Sequence, residues 1–212
     1  MTRGRFIAFE GGEGSGKSTQ ATALAAGRRA RGLPVELTRE PGGTPGAEAI
    51  RRLLLNPPGE GWGAPAEALL FAAARADHVA RRIGPALDRG DWVISDRFLD
   101  SSRAYQGGAG GVGDEAVRAL HAIGSGGLLP DLTILLDIDP RVAFARTRRR
   151  DGGRSDAIGG RDADYHAAVG AAFARLARAE PERFAVVPAG DARADVAERV
   201  WQAVVPLLDR AA

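Results

Sequence analysis

The run Gly11-Gly12-Glu13-Gly14-Ser15-Gly16-Lys17-Ser18 limits this chain more than any other stretch. A glycine, four free positions and then Gly-Lys-Ser is the spacing of a phosphate-binding loop. Its flanks agree with that reading. Phe6-Ile7-Ala8-Phe9 is short and apolar, as a buried strand is, and Thr19 to Arg31 is alanine-rich and free of proline, as a helix is. A glycine-rich turn between strand and helix lets backbone N–H groups converge on an anion at the helix N-terminus. In such a loop Gly11, Gly12, Glu13, Gly14, Ser15 and Gly16 cradle the phosphates, Lys17 reaches the outer ones, and the Ser18 hydroxyl holds Mg²⁺. Composition sharpens the point. Among 29 Lys plus Arg residues, Lys17 is the only lysine. Arginine serves as the cation elsewhere, so a compact ammonium on a flexible stem stands where phosphate chemistry calls for one.

The rest of the chain alternates strand-like and helix-like stretches, which argues for a parallel sheet covered by helices. Pro34 to Thr38, Trp92 to Arg97, Leu132 to Asp137 and Phe184 to Val187 read as four further strands. Ala47 to Leu55, Arg141 to Arg150, Ala163 to Ala179 and Ala194 to Leu208 read as helices. Glu67 to Arg89 reads as one long helix, with Pro85 marking a kink, and Gly107 to Gly113 as a loop. The expected fold is α/β: a five-stranded parallel sheet with helices on both faces, in a single domain over 1–212. Ligands of such folds sit beyond the carboxyl ends of the strands.

A formal charge of +2 argues against a nucleic-acid partner, and the absence of cysteine excludes disulfides and thiolate metal sites. No run approaches the ~18 apolar residues of a membrane span. The N-terminus moves straight into the first strand without a visible signal peptide, so the cytoplasm is the expected location.

Charged turns follow the apolar strands at Glu10, Arg39-Glu40, Asp96-Arg97 and Asp137. Asp96 is the favoured Mg²⁺ partner because Arg97 beside it supplies a phosphate-facing cation; Asp137 is the competing candidate. Glu13 is electrostatically awkward. A carboxylate aimed at a triphosphate is repelled, so it should turn away from the phosphates towards a neutral donor such as a sugar hydroxyl.

Glu10-Gly11 to Ser18, Thr38-Arg39-Glu40-Pro41-Gly42-Gly43-Thr44, Leu70 to Arg75, Asp96-Arg97 and Ala104-Tyr105-Gln106-Gly107-Gly108 together resemble thymidylate kinase in order and spacing. The phosphate loop alone is widespread; the Arg-Glu-Pro-Gly-Gly and Tyr-Gln-Gly-Gly segments are far more specific. The resemblance implies a phosphate-loop kinase that moves the γ-phosphate of ATP onto dTMP, works with Mg²⁺ and forms a homodimer. It implies that Lys17, Arg97 and Glu13 serve catalysis. Arg97 and Arg51 would grip the dTMP phosphate with Glu40 nearby, and Glu13 would meet the sugar 3′-hydroxyl. Phe71 would stack on thymine, Arg75 would donate to a thymine carbonyl, Ser102 and Gln106 would read the remaining base edge, and Tyr105 would pack against the sugar. Arg146 would lie by the adenine.

A lid is expected over about 148–161, with Arg148, Arg149, Arg150 and Arg154 as its cations and Arg161 as a further stand-in. There the chain departs from the family. The customary Asp-Arg-x-Glu segment reads Asp156-Ala157-Ile158-Gly159. Two other readings keep the phosphate loop: a kinase for another nucleoside monophosphate or a deoxynucleoside, and a regulatory NTPase.

Overall fold

The computed structural model describes residues 3–151 and 156–209, less the side chains of residues 150, 151 and 209. Five strands form one sheet: β1 (Phe6–Glu10), β2 (Val35–Arg39), β3 (Trp92–Asp96), β4 (Leu132–Asp137) and β5 (Phe184–Pro188). All pairings are parallel, in the order β2-β3-β1-β4-β5. The helices are α1 (Lys17–Arg29), α2 (Pro45–Leu55), α3 (Ala64–His78), α4 (Gly84–Asp88), α5 (Leu99–Ser102), α6 (Asp114–Ser125), α7 (Pro140–Asp151), α8 (Ala163–Ala179) and α9 (Arg193–Asp209).

The hydrophobic pattern explains the layering. β1 lies between β3 and β4 and is buried along its whole length, as a central parallel strand is. Ile7 and Phe9 point to a face covered by α1 and α9, where Leu24, Val200 and Val204 complete the core. Phe6 and Ala8 point the other way, onto Ile83, Leu87, Phe98 and Val117. A third cluster joins α8 to the segment after α5 through Tyr105, Val169 and Phe173. Among the described residues no helix is long and apolar enough to cross a membrane.

Two expectations need correction. The stretch expected as one helix over Glu67 to Arg89 begins at Ala64 and is interrupted by a π-helical turn at Val79–Ile83. The Gly84 N–H reaches back five residues to the Val79 carbonyl. Pro85 has no N–H and its ring crowds the preceding turn, so the helix widens ahead of it. Likewise Gly107 and Gly108 lie in a second π-helical turn, Arg103–Ala109, and not in a loop. A Cβ on Gly108 would stand 2.7 Å from the Cβ of Ala172. Glycine is required there because α8 packs directly on it.

The β1–α1, β2–α2 and β3–α5 turns all leave the same edge of the sheet, at the carboxyl ends of neighbouring strands. β1 sits where the chain order reverses across the sheet, the place where such folds bind ligands.

Candidate active site

The phosphate loop is shaped by its glycines. Gly11, Gly14 and Gly16 have φ of 138°, 73° and 95°, a region that side chains with a Cβ rarely enter. A Cβ on Gly14 would lie 2.3 Å from the Ala143 carbonyl oxygen, so α7 seals one side of the loop. A Cβ on Gly16 would meet nothing within 4 Å, which leaves the cradle open towards the cavity. α1 has neither a side-chain cap nor an acidic residue in its first turn, so its N–H groups remain for an anion.

Lys17 is 7% exposed. Its Nζ donates to the carbonyl oxygens of Gly11 (3.1 Å) and Gly12 (2.7 Å) and to Ser15 Oγ (3.3 Å). Burial, and then the Arg97 charge, push its pKa down from 10.5 to about 8. The Ser18 hydroxyl donates to the Asp96 carboxylate, so the two expected metal partners meet. Asp137 is exposed and lies outside the cavity lining. Among the described residues no group of three acids or histidines could hold a metal. A hydroxyl plus one carboxylate still fits Mg²⁺, which usually completes its shell with phosphate and water oxygens.

Among the described residues Arg97 is the non-glycine residue with positive φ, 71°. Such a conformation persists only where its surroundings fix it, and here they do. Arg97 N–H donates to the Phe9 carbonyl at 2.9 Å. The fully buried Glu10 accepts from Phe98 N–H (2.9 Å), Ser101 N–H (3.0 Å) and Ser101 Oγ (2.5 Å), pinning the turn that follows. Burial and the Asp100 charge raise the Glu10 pKa from 4.5 to about 7. The Arg97 guanidinium then donates to Gly11 O (3.2 Å), Ser101 Oγ (2.9 Å), Glu13 Oε1 (2.5 Å) and Tyr105 Oη (3.3 Å). Burial opposes its charge, but Tyr105, Glu13, Asp96 and Glu10 around it raise its pKa overall. The Glu13 carboxylate, expected to turn towards a neutral donor, meets a cation, Arg97. The same carboxylate that a triphosphate would repel is drawn to the nearest guanidinium.

The opposite wall is built from buried polar pairs. Glu40, beyond the end of β2, accepts from Arg75 Nε at 2.8 Å and pairs with His78 Nδ1 at 3.0 Å. His78 Nε2 meets Thr38 Oγ1 at 2.7 Å. Arg75 Nη2 donates to Ser102 Oγ (2.9 Å) and to the Phe98 carbonyl (3.3 Å). α2 is anchored beside them by the Thr44 cap, whose Oγ1 accepts from Ala47 N–H and donates to Asp77. Arg51 Nη1 donates to the Pro41 carbonyl at 2.8 Å, and burial lowers the Arg51 pKa.

A single cavity of about 700 Å³ separates the two walls. Lys17, Ser18, Asp96 and Arg146 line it from one side with the phosphate loop, and Arg97, bonded to both Glu13 and Tyr105, joins the two walls. Glu40, Arg51, Phe71, Ser102, Tyr105 and Gln106 line it from the other. Arg75 is just behind the lining, 2% exposed.

Against this geometry, the thymidylate kinase family model matches residues 9–200. The chain belongs to the thymidylate kinase family. It is 58% identical to a thymidylate kinase of Rhizorhabdus wittichii over 97% of this chain and 99% of that one. It is 50% identical to a thymidylate kinase of Rhodopseudomonas palustris over 95% of this chain and 89% of that one. With a thymidylate kinase of a Bradyrhizobium strain it shares 47% identity over 95% of this chain and 90% of that one.

The lid region of this thymidylate kinase family member differs from the expectation. Arg148 and Arg149 are exposed on α7 and do not line the cavity; Arg148 stacks over Phe144 instead. Arg154 and the Arg150 side chain lie outside the described residues. Arg161 is committed to Glu67 and to Tyr165. Arg146 lies on the rim, donating to the carbonyls of Ala189 and Gly190. Asp156 and Ile158, from the segment that replaces the family pattern, line the cavity.

The sequence pattern alone left out His78 and Glu67, which stand behind the wall and bond to its residues Glu40 and Gln106. A signal existed. Glu67, Phe71, Arg75 and His78 are spaced by four, four and three, which places all four on one face of α3. The pattern placed Arg39 in a charged turn without giving it a role, and it missed Arg193, a further arginine of the lining, because isolated arginines are numerous in this chain.

Proposed function

We propose that this protein transfers the γ-phosphate of ATP to dTMP, giving dTDP. The observation that carries the proposal is one cavity with a phosphate loop on one wall and an arginine-bearing, aromatic-bearing pocket on the other. ATP takes the loop side, where Gly11 to Gly16, Lys17 and the α1 N-terminus receive its phosphates, and Arg146 stands at the adenine end. dTMP takes the other side. Phe71 stacks on thymine, and Ser102 and Gln106 read its edge. Arg75 braces Ser102 and Glu40 and lies within reach of the base carbonyl. Tyr105 packs against the deoxyribose, and Glu13 lies near its 3′-hydroxyl.

The acceptor phosphate has a second pKa of about 6, so its oxygen is a competent nucleophile near neutral pH without a strong base. Arg97 and Arg51 hold that phosphate in line, Glu40 fixes the turn that carries it, and Lys17 balances charge on the transferred group. When bound by Ser18 and Asp96, Mg²⁺ supplies further neutralisation of phosphate charge.

In this reading 1–212 is one domain with a lid at about 148–161, to which Arg148, Arg149, Arg150 and Arg154 would contribute cations. The same reading makes the enzyme cytoplasmic and homodimeric. Leu69 on α3 and Ile123 on α6, two helices packed on each other through Gly124, are 57% and 84% exposed and support a second copy docking there.

The test is ADP release measured with dTMP, dUMP, dCMP and GMP as acceptors. dTMP should be preferred. Preference for dCMP or GMP, or hydrolysis indifferent to every monophosphate, would defeat the assignment in favour of another monophosphate kinase or a regulatory NTPase.

A further inference from the structure

Glu67 is not in the cavity lining, yet it is bonded to a residue that is. It lies in the first turn of α3, one turn before Phe71 and two before Arg75, and is 5% exposed. Its Oε2 accepts from Gln106 Nε2 at 3.3 Å, and its Oε1 accepts from the Arg161 guanidinium. Gln106 is 1% exposed and faces the cavity.

We infer that Glu67 is a positioning residue for base selectivity: it fixes the Gln106 amide with its carbonyl oxygen, not its NH₂ group, towards the acceptor. The inference rests on placing Gln106 against the acceptor base. A carboxylate paired with a guanidinium offers only acceptors. The amide nitrogen therefore faces Glu67, which leaves Oε1, to which no described residue donates, as the acceptor Gln106 can offer to the cavity it lines.

The chemical consequence is a choice between pyrimidines. Thymine and uracil carry an N3–H that can donate to that oxygen. Cytosine presents a bare N3 lone pair, which the oxygen repels. Were residue 67 neutral and able to donate, Gln106 could turn its NH₂ group inwards and accommodate cytosine. Glu67 removes that alternative. Arg161 reinforces it from the far side. Its Nη1 donates to Tyr165 Oη at 2.5 Å, and Tyr165 Oη donates to the Tyr105 carbonyl at 3.1 Å. One arginine thus braces both neighbours in the π-helical turn, the base reader and the sugar-packing tyrosine.

The experiment compares kcat/KM for dTMP and dCMP in the full-length enzyme, with thermal melting as a folding control. Glu67→Gln is isosteric and should lower the dTMP-to-dCMP ratio by roughly tenfold, mostly through gained dCMP turnover, with KM for ATP held within about twofold. Glu67→Asp keeps an acceptor-only group and should retain the preference. Gln106→Glu added to Glu67→Gln should restore it, because an acceptor-only group again faces the base. If Gln106→Ala leaves the ratio intact, Gln106 does not read the base and the inference falls with that placement. If Gln106→Ala lowers the ratio while Glu67→Gln keeps it within about twofold, the base reader stands and Glu67 does not orient it. Equal losses for both acceptors in Glu67→Gln would likewise overturn the inference.

Discussion

The two walls of the cavity hold their charges in opposite ways. On the acceptor side the buried carboxylates of Glu40 and Glu67 have partners in the protein: Arg75 and His78 for Glu40, Arg161 for Glu67. On the donor side Lys17 bonds to carbonyls and a hydroxyl of its own loop, and burial and the Arg97 charge lower its pKa to about 8 against the pull of the Glu13, Asp96 and Glu10 carboxylates. The acceptor wall is complete before substrate arrives. The donor loop holds a buried ammonium whose compensating anion is to come from a ligand. Recognition of a base needs fixed donors and acceptors, whereas neutralising a transferred phosphate needs a cation kept in reserve.

Breaking a pair on the acceptor side should therefore damage the fold. Arg75→Ala strips Glu40 of a bidentate-capable partner in a buried site, at a cost of about 3–5 kcal/mol. Chemical denaturation should register that loss, and surviving enzyme should discriminate dTMP from dCMP poorly. Lys17→Ala is the converse experiment. Turnover should drop at least about a hundredfold, while the melting temperature stays level or rises, because a buried charge with no directly bonded carboxylate has been removed. A melting temperature that collapsed with Lys17 would erase the contrast between the walls.

Glu10 sharpens the comparison through pH. Its folded pKa of about 7 lies above its ordinary 4.5, so the folded state binds the proton more tightly. The stability this contributes is complete below pH 4.5 and is lost as pH rises through about 7. Glu10→Gln should flatten the fall in melting temperature across that window, and an unchanged slope would remove Glu10 as its source. The smallest effect belongs to the exposed face of α7. Arg148→Ala should alter stability by no more than about 0.5 kcal/mol and KM for ATP by about twofold; a large rise in KM would show that the lid recruits it.

The strands, the loop and most of the lining were legible in the sequence because each rests on a local rule. Apolar runs of five residues make buried strands, and Gly-x₄-Gly-Lys-Ser makes a phosphate cradle. The two π-helical turns were not, since i→i+5 bonding has no sequence period of its own. Gly107 and Gly108 read as punctuation, but their smallness serves the approach of α8. His78 and Glu67 escaped notice for a related reason. Their importance comes from Glu40 and Gln106, dozens of residues away in the chain, and only the folded helix brings those groups together. Glu13 shows the limit of pairwise electrostatics: repulsion from phosphate was foreseeable, and attraction to Arg97 required knowing where Arg97 lands.

The most direct test of a shared cavity is calorimetric binding of a compound that joins adenosine and thymidine 5′-to-5′ through five phosphates. The two walls predict one molecule bound per chain, in competition with both ATP and dTMP, at least about a hundredfold more tightly than dTMP alone. An affinity no better than that of dTMP, or competition with one substrate only, would mean that the two pockets do not face each other.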